Sequence, residues 1–331
     1  MTASLRSIAG HRVHPIGLGC MNLSHAYGEP PPRERAVDVL HRAVDLGITH
    51  FDTATLYGFG RNESLVGPVL KPFRDRIVLT SKCGIQGVDG KRVIDGRPET
   101  LRQTLEDSLR RLDTDVIDLY YLHRWDKSVP IEDSIGAMAE MVASGKVRAL
   151  GLSEVSVATL RKAQAVHPIA AVQSEYSLWT RNPELGMLDA CAEIGAAFVA
   201  FSPLARGFLT DVDIHPEAFV DKDVRRAMPR FQQPQFEANQ RLLDSFRQLA
   251  VRMDCSPAQL ALAWLLQRGP HVLAIPGTTS VRHLEENFAA ASVELGADTA
   301  AELEALINET TVAGARYSPA NLAEIDTERF A

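Results

Sequence analysis

The sequence predicts an α/β protein whose strands close into a parallel (β/α)8 barrel. Three observations lead there. Short β-branched runs alternate with amphipathic helical patterns almost to the C-terminus, giving eight candidate strands, most followed by a helix. That alternation specifies a parallel sheet with crossover helices. Asp52, Tyr57, Lys82 and His123 stand at or just beyond the ends of three successive strand-like runs. The carboxyl ends of the strands are where a βα barrel places its chemistry. The open, doubly wound alternative lacks its glycine fingerprint: Gly17-x-Gly19 is followed by Asn22, and Gly58-x-Gly60 by Glu63.

Taken in order, an N-terminal stretch fits a small β-hairpin, and Ile16 to Gly19 reads as the first barrel strand. Arg35 to Leu46 carries a helical apolar face through Val37, Leu40 and Val44, and Gly47 ends it as a C-cap. Thr49-His50-Phe51 leads to Asp52, and Asn62 to Leu70 is a short helix. Ile77 to Ser81 leads to Lys82, and a helix starts near Pro98, where proline is welcome in the first turn. Ile117 to Leu122 leads to His123, followed by a helix from about Ile131 to Ser144. The second half repeats the unit, with strands at Val147–Leu152, Ala170–Gln173, Ala197–Phe201 and Val272–Ile275. Helices fall at Val155–Val166, Glu184–Glu193, Phe236–Met253, Ser256–Leu266 and Val281–Ala290, with an extra C-terminal helix near Thr299–Ile307. The irregular connection from Arg206 to Gln233 is longer than barrel loops usually are, which marks it as functional or mobile. No compositional break divides residues 1–331, so a single domain of the TIM-barrel class is expected.

Composition narrows the function class. A hydrophobic share of 45% with 23% charged residues suits a globular chain with a large core. A net charge of -7 argues against non-specific nucleic-acid binding. No run reaches the roughly 20 apolar residues of a membrane span, and the N-terminus lacks a signal-peptide core. Cys20, Cys83, Cys191 and Cys255 are far apart, without a C-x-x-C pair, so reduced thiols and no metal site are expected. A cytoplasmic protein, monomeric by default, is the expectation.

The four strand-end residues fit one task. A tyrosine hydroxyl titrates near pH ~10, and the Lys82 ammonium favours its phenolate, with Asp52 as counter-charge. His123 is suited to donate a hydrogen bond to a carbonyl oxygen. Together they form a proton donor poised for a developing alkoxide. Any one alone is more often a cap, a wall or a scaffold residue; four on successive strand ends point to catalysis. A proton donor for an alkoxide implies a hydride donor. Ser153, Glu154 and Gln173 lie past later strands, where a nicotinamide carboxamide would sit, and Tyr176 offers a ring face. Ser202-Pro203-Leu204 and Gly207 suit a pyrophosphate. Gly277-Thr278-Thr279-Ser280 opens a helix, a natural phosphate site, and Arg282 adds charge for an adenosine 2'-phosphate.

In sequence the chain resembles the aldo-keto reductase family, over nearly its whole length. The motifs are Gly47-Ile-Thr-His-Phe-Asp52-Thr-Ala-Thr-Leu-Tyr57-Gly, Thr80-Ser-Lys82, Asp118-Leu-Tyr-Tyr-Leu-His123, and Gly145 to Ser153. Further on stand Gln173-Ser-Glu-Tyr176-Ser-Leu-Trp, Ser202-Pro-Leu-Ala-Arg-Gly, Ile275-Pro276-Gly-Thr and Leu284-Glu285-Glu286-Asn287. The branch it is most similar to is the bacterial and plant one with Ser-Glu and Ser-Leu-Trp motifs. The resemblance implies an NADP-dependent alcohol oxidoreductase (EC 1.1.1.-) that reduces aldehydes or ketones with NADPH, with NADH also possible. It implies Tyr57 as general acid, Lys82 and Asp52 tuning it, and His123 orienting the carbonyl. Cofactor contacts are implied at Ser153, Gln173, Tyr176, Ser202, Leu204, Gly207 and the Gly277 to Asn287 segment. Two departures stand out: Glu154 where many relatives carry asparagine, and Thr279-Ser280-Val281 where relatives often carry a basic run. Met21, Trp125 and Trp179 are the expected substrate contacts, with Phe219 and Phe231 as further walls. A second reading is a regulatory subunit of the same fold with little turnover, resembling potassium-channel β-subunits. A Schiff-base role for Lys82 leaves Tyr57 and His123 unexplained.

Overall fold

The computed structural model describes residues 4–24 and 26–330. Its strands are β1 (Arg6–Ile8), β2 (His11–Val13), β3 (Leu18–Gly19), β4 (His50–Asp52), β5 (Val78–Cys83), β6 (Ile85–Val88), β7 (Lys91–Ile94), β8 (Ile117–Leu122), β9 (Val147–Ser153), β10 (Ile169–Glu175), β11 (Ala197–Phe201) and β12 (Val272–Ala274). Helices α1 (Arg33–Leu46), α2 (Arg61–Leu70), α3 (Pro98–Leu112), α4 (Ile131–Ala143), α5 (Val157–Val166) and α6 (Met187–Ile194) serve as crossovers in the first part of the chain. They are followed by α7 (Gln235–Arg252), α8 (Pro257–Leu266), α9 (Val281–Ala289), α10 (Ala297–Leu306) and α11 (Pro319–Ala323).

Eight strands pair in parallel, in the order β12-β11-β10-β9-β8-β5-β4-β3. The two ends of that order meet. Gly17 N donates to Ala274 O at 2.8 Å and Ala274 N to Pro15 O at 3.0 Å, and parallel bridges join Ile16 to Ala274 and Gly19 to Gly277. Closure removes the unpaired sheet edges and brings the carboxyl ends of all eight strands round one mouth. Both faces of the strands are buried, which explains their near-continuous apolar runs.

Local chemistry sets the helix ends. Gly47 takes a left-handed φ of 91° after α1, a conformation that suits a residue without Cβ. Ser256 and Gln259 form a capping box ahead of α8, with Pro257 in the first turn.

The expected hairpin is present as antiparallel β1–β2. Ile8 and Val13 bury against Val78, Leu119 and Leu273, closing the barrel at the N-terminal ends of its strands. A second hairpin, β6–β7, was not expected. Its turn, Asp89-Gly90, has both φ values positive, 51° and 75°, the type I' signature that Asp-Gly favours. The long connection after β11 consists of short 3-10 turns. It crosses to the segment after β3, where Val224 N donates to Ala26 O at 3.1 Å.

Candidate active site

The strand ends deliver Asp52 and His123 to the floor of a cavity of about 620 Å³, Tyr57 joins them from the turn after β4, and Lys82 lies directly behind, bonded to Asp52 and Tyr57. Lys82 is fully buried. Its Nζ donates to an Asp52 carboxylate oxygen, to Thr53 O at 2.8 Å and to the Tyr57 hydroxyl oxygen at 3.2 Å. The other Asp52 oxygen accepts from Thr80 Oγ1 at 2.9 Å and Gln173 Nε2 at 2.8 Å. A buried ammonium keeps its charge only when paired and hydrogen-bonded. Burial works against the Lys82 charge, but Asp52, and then Tyr57, outweigh it, so its pKa is raised.

Tyr57 corrects one expectation. Burial raises the phenol above its ordinary value, and Lys82 offsets this only in part. The resting group is therefore a neutral phenol, the form that can give a proton away. Because Lys82 donates to the phenol oxygen, the phenolate is stabilised as that proton leaves. The His123 ring meets Tyr57 edge-on, at 5.8 Å between centroids and 85°. Burial pushes its imidazole well below the usual range, reinforced by Arg124 and Lys82. A neutral imidazole retains one N–H donor.

Ser153, Gln173, Ser202, Pro203, Leu204, Gly207, Pro276, Gly277, Thr278, Thr279, Glu286, Asn287 and Met21 all line the same cavity. Gly277 permits a close approach: a Cβ there would lie 2.2 Å from Asn22 Oδ1 and 2.9 Å from Gly19 O. Ser280 caps α9 by accepting from His283 N, which sets the helix start beside the cavity. Backbone in the left-handed region recurs at Ser202, Ala205 and Arg206, with φ of 49°, 50° and 60°. Non-glycine residues hold such conformations at a cost of about 1–3 kcal/mol each, and they cluster at functional sites.

Other expected contacts lie elsewhere. Tyr176 does not face the cavity: its ring packs edge-on against Phe198, and its hydroxyl donates to Glu184 at 2.8 Å. Trp179 stacks on Phe208 with centroids 4.1 Å apart, in a cluster that includes Phe231. Phe219 stacks instead under the Arg225 guanidinium, at 4.1 Å. Trp125 turns its Nε1 to Val129 O at 2.9 Å. Glu285 pairs with Arg42 of α1 at 2.7 Å. Arg282 is 76% exposed and stands 3.6 Å from Asp211. Phe201, at the end of β11, does line the cavity; an aromatic directly before Ser-Pro-Leu was the signal.

Glu154 is corrected most sharply. It takes a left-handed φ of 57° after β9, and its fully buried carboxylate accepts from Arg316 at 2.5 and 3.1 Å and from Glu175 N at 2.8 Å. It anchors the C-terminal segment instead of facing the cavity. Glu175 pairs with Arg206 at 2.6 Å, and Arg206 also donates to Tyr317 and Tyr27 at 3.0 and 3.2 Å. This buried network joins the C-terminal segment, the connection after β11 and the segment after β3. Tyr317, Asn321, Glu324 and Ile325 thereby become cavity wall. Lys127 donates to Ala323 O and Ile325 O at 2.8 and 3.0 Å, and Arg92 of the second hairpin pairs with Glu324.

Among the described residues no cluster of His, Cys, Asp and Glu is arranged to hold a metal, and no helix is long and apolar enough to cross a membrane. The sequence pattern of the Aldo/keto reductase family matches residues 15–308. The chain is 42% identical to a "Probable aldo-keto reductase 1" from Glycine max over 311 residues, 93% of this chain and 89% of that protein. It is 41% identical to "Aldo-keto reductase yakc [NADP(+)]" from Schizosaccharomyces pombe over 326 residues, 96% of both chains. In fold it is similar to a glycerol dehydrogenase from Gluconobacter oxydans, with a TM-score of 0.85 at 28% identity, covering 96% of this chain and 99% of the other. The chain belongs to the aldo/keto reductase family.

Proposed function

We propose that the protein reduces an aldehyde or ketone to the alcohol with NADPH, reversibly, using Tyr57 as the proton donor. The observation that carries this is the continuous hydrogen-bonded chain Asp52–Lys82–Tyr57 on the cavity floor, with a neutral His123 against the Tyr57 ring. A carbonyl oxygen seated between Tyr57 and His123 would accept hydrogen bonds from both. As charge builds on that oxygen, Tyr57 gives up its proton. Lys82 stabilises the phenolate left behind, and Asp52 keeps Lys82 charged.

The cavity's polar groups suit a nicotinamide dinucleotide. Ser153 and Gln173 would hold the carboxamide; one Gln173 N–H already donates to Asp52, which fixes the amide and leaves its oxygen and second N–H. Phe201 offers a ring face, and Ser202 with Leu204 lies where a pyrophosphate would run. Gly277, Thr278, Thr279 and Asn287 would border the adenosine phosphate. When bound, that cofactor supplies the hydride. The fission-yeast relative's NADP(+) designation favours NADPH here, with NADH as the lesser partner. No observation favours the channel-subunit reading.

The test is NADPH consumption with a panel of aromatic and aliphatic aldehydes, for wild type and Tyr57→Phe. Turnover in the variant should fall at least ~100-fold, while its affinity for NADPH stays close to wild type. Wild-type-like turnover in Tyr57→Phe would remove the proton-donor assignment. No consumption by the wild type on any aldehyde would favour the binding-subunit reading.

A further inference from the structure

We propose that the carbonyl substrate carries an anionic group, a carboxylate in the simplest case, held by Arg124 beside the subsite formed by Tyr57 and His123. The proposal rests on the reductase reading above and adds the substrate class to it.

Arg124 follows His123 at the end of β8 and lines the same cavity. Its Nη1 donates to His123 O at 2.6 Å and to Ser153 Oγ at 3.2 Å, which lays the guanidinium across the ends of β8 and β9. The other cations at this end of the cavity have acidic partners: Lys82 has Asp52, and Arg92 has Glu324. Among the described residues Arg124 has none: its donors go to a backbone carbonyl and a serine hydroxyl. A guanidinium carries five donors and stays charged. At the cavity wall that charge stands without a carboxylate of the described residues to neutralise it. An anionic group on a bound substrate would supply the partner that the described residues do not.

The cofactor's phosphates are poorly placed to be that acceptor. Their expected positions follow β11 and β12, whereas Arg124 follows β8, with β9 and β10 between. The charge thus falls to the substrate. Leu56, Ile85 and Ile325 form apolar wall in the same cavity, and Asn321 adds an amide. A compact carbonyl compound with a carboxylate, such as a short oxo acid, matches this mixture. The reaction keeps its balance: hydride reaches the carbonyl carbon from NADPH, the proton reaches its oxygen from Tyr57, and the carboxylate is unchanged.

The experiment compares oxo acids of graded length, from glyoxylate to 4-formylbenzoate, with neutral methyl esters or alkanals of equal length. The wild type should show a kcat/KM advantage of roughly tenfold or more for the acid at the best length. Arg124→Gln should erase that ratio, and Arg124→Lys should retain part of it, since an ammonium keeps the charge without the fork geometry. A second readout is calorimetric titration of the NADP+-loaded protein with benzoate against benzamide. Benzoate should bind more tightly to the wild type, and this difference should vanish in Arg124→Gln. An enzyme that reduces neutral aldehydes but gains nothing from the carboxylate, or a ratio unchanged in Arg124→Gln, overturns the proposal and leaves the reductase reading intact. If no aldehyde is turned over, the reductase reading falls, and equal binding of benzoate and benzamide overturns the anion subsite independently.

Discussion

Arg316→Ala isolates what the C-terminal segment contributes. The Arg316 side chain is 6% exposed and gives both terminal nitrogens to Glu154, whose side chain is fully buried. Removing one member of such a pair leaves an uncompensated buried charge, at a cost of about 3–5 kcal/mol. Glu175 lies 3.7 Å from Arg316 and loses a neighbour too. With an unfolding entropy of about 2.1 cal/mol/K per residue, the 331 residues give about 0.7 kcal/mol/K, so Tm should fall by about 4–7 °C in a thermal melt. Substrate KM should rise alongside, because Tyr317, Asn321, Glu324 and Ile325 line the cavity. Glu154→Gln should produce a similar melt. The double variant Glu154→Met/Arg316→Met should recover most of the loss, since well-packed apolar replacements for a buried pair are often neutral or stabilising. Single variants that melt within about 1 °C of wild type, a shift worth less than 1 kcal/mol at this entropy, would refute the reasoning. So would a Glu154→Gln protein that keeps its Tm but loses NADPH affinity, because that pattern belongs to a direct cofactor contact.

Three further outcomes follow from the site. Phe201→Ala should weaken NADPH by roughly 2- to 12-fold in a fluorescence titration, the range of an aromatic stacking energy; an unchanged Kd would place the ring contact elsewhere. Arg282→Ala should raise the KM for NADPH by less than about fivefold, as befits an exposed charge shared with Asp211, and leave NADH untouched; equal effects on both would end its 2'-phosphate role. Burial opposes the Glu175 charge, but Arg206, and then Arg316 and Arg230, override it and hold the carboxylate below its usual 4.5. A depressed carboxylate contributes stability that is fully present above pH 4.5 and is lost as pH falls through the folded value. The Tm gap between wild type and Glu175→Gln should therefore be widest near neutrality and close in acid; a gap that widens on acidification would contradict the pairing.

The barrel and the placement of Asp52, Lys82 and His123 at its strand ends were legible because strand periodicity and position encode them. Asp52, Lys82 and His123 each end an apolar run, and a strand end in this architecture has one destination. The loop residues were harder. Tyr176 and Trp179 follow β10, where the chain leaves the period-2 pattern, so spacing no longer says which side a ring takes. Both turned outward to pack on Phe198 and Phe208. Glu154 was misread because its partner is Arg316, far along the chain, and no local pattern links them. The second hairpin was different: Asp89-Gly90 is a strong turn signal, outweighed by the polar residues around it. Arg92, which that hairpin carries to the cavity, was lost with it.

The β1–β2 hairpin makes the hydrogen-bonded chain Asp52–Lys82–Tyr57 a cul-de-sac. Ile8 and Val13 seal the far end of the barrel, and Lys82 has no exposed surface. Water therefore meets the Asp52–Lys82–Tyr57 chain from the cavity side, where Tyr57 and Asp52 line the wall. A ligand that fills the cavity closes that one route. If Tyr57 is the proton donor, as proposed, each filling would carry a single transferable proton, and Tyr57 would be recharged only after the product has gone.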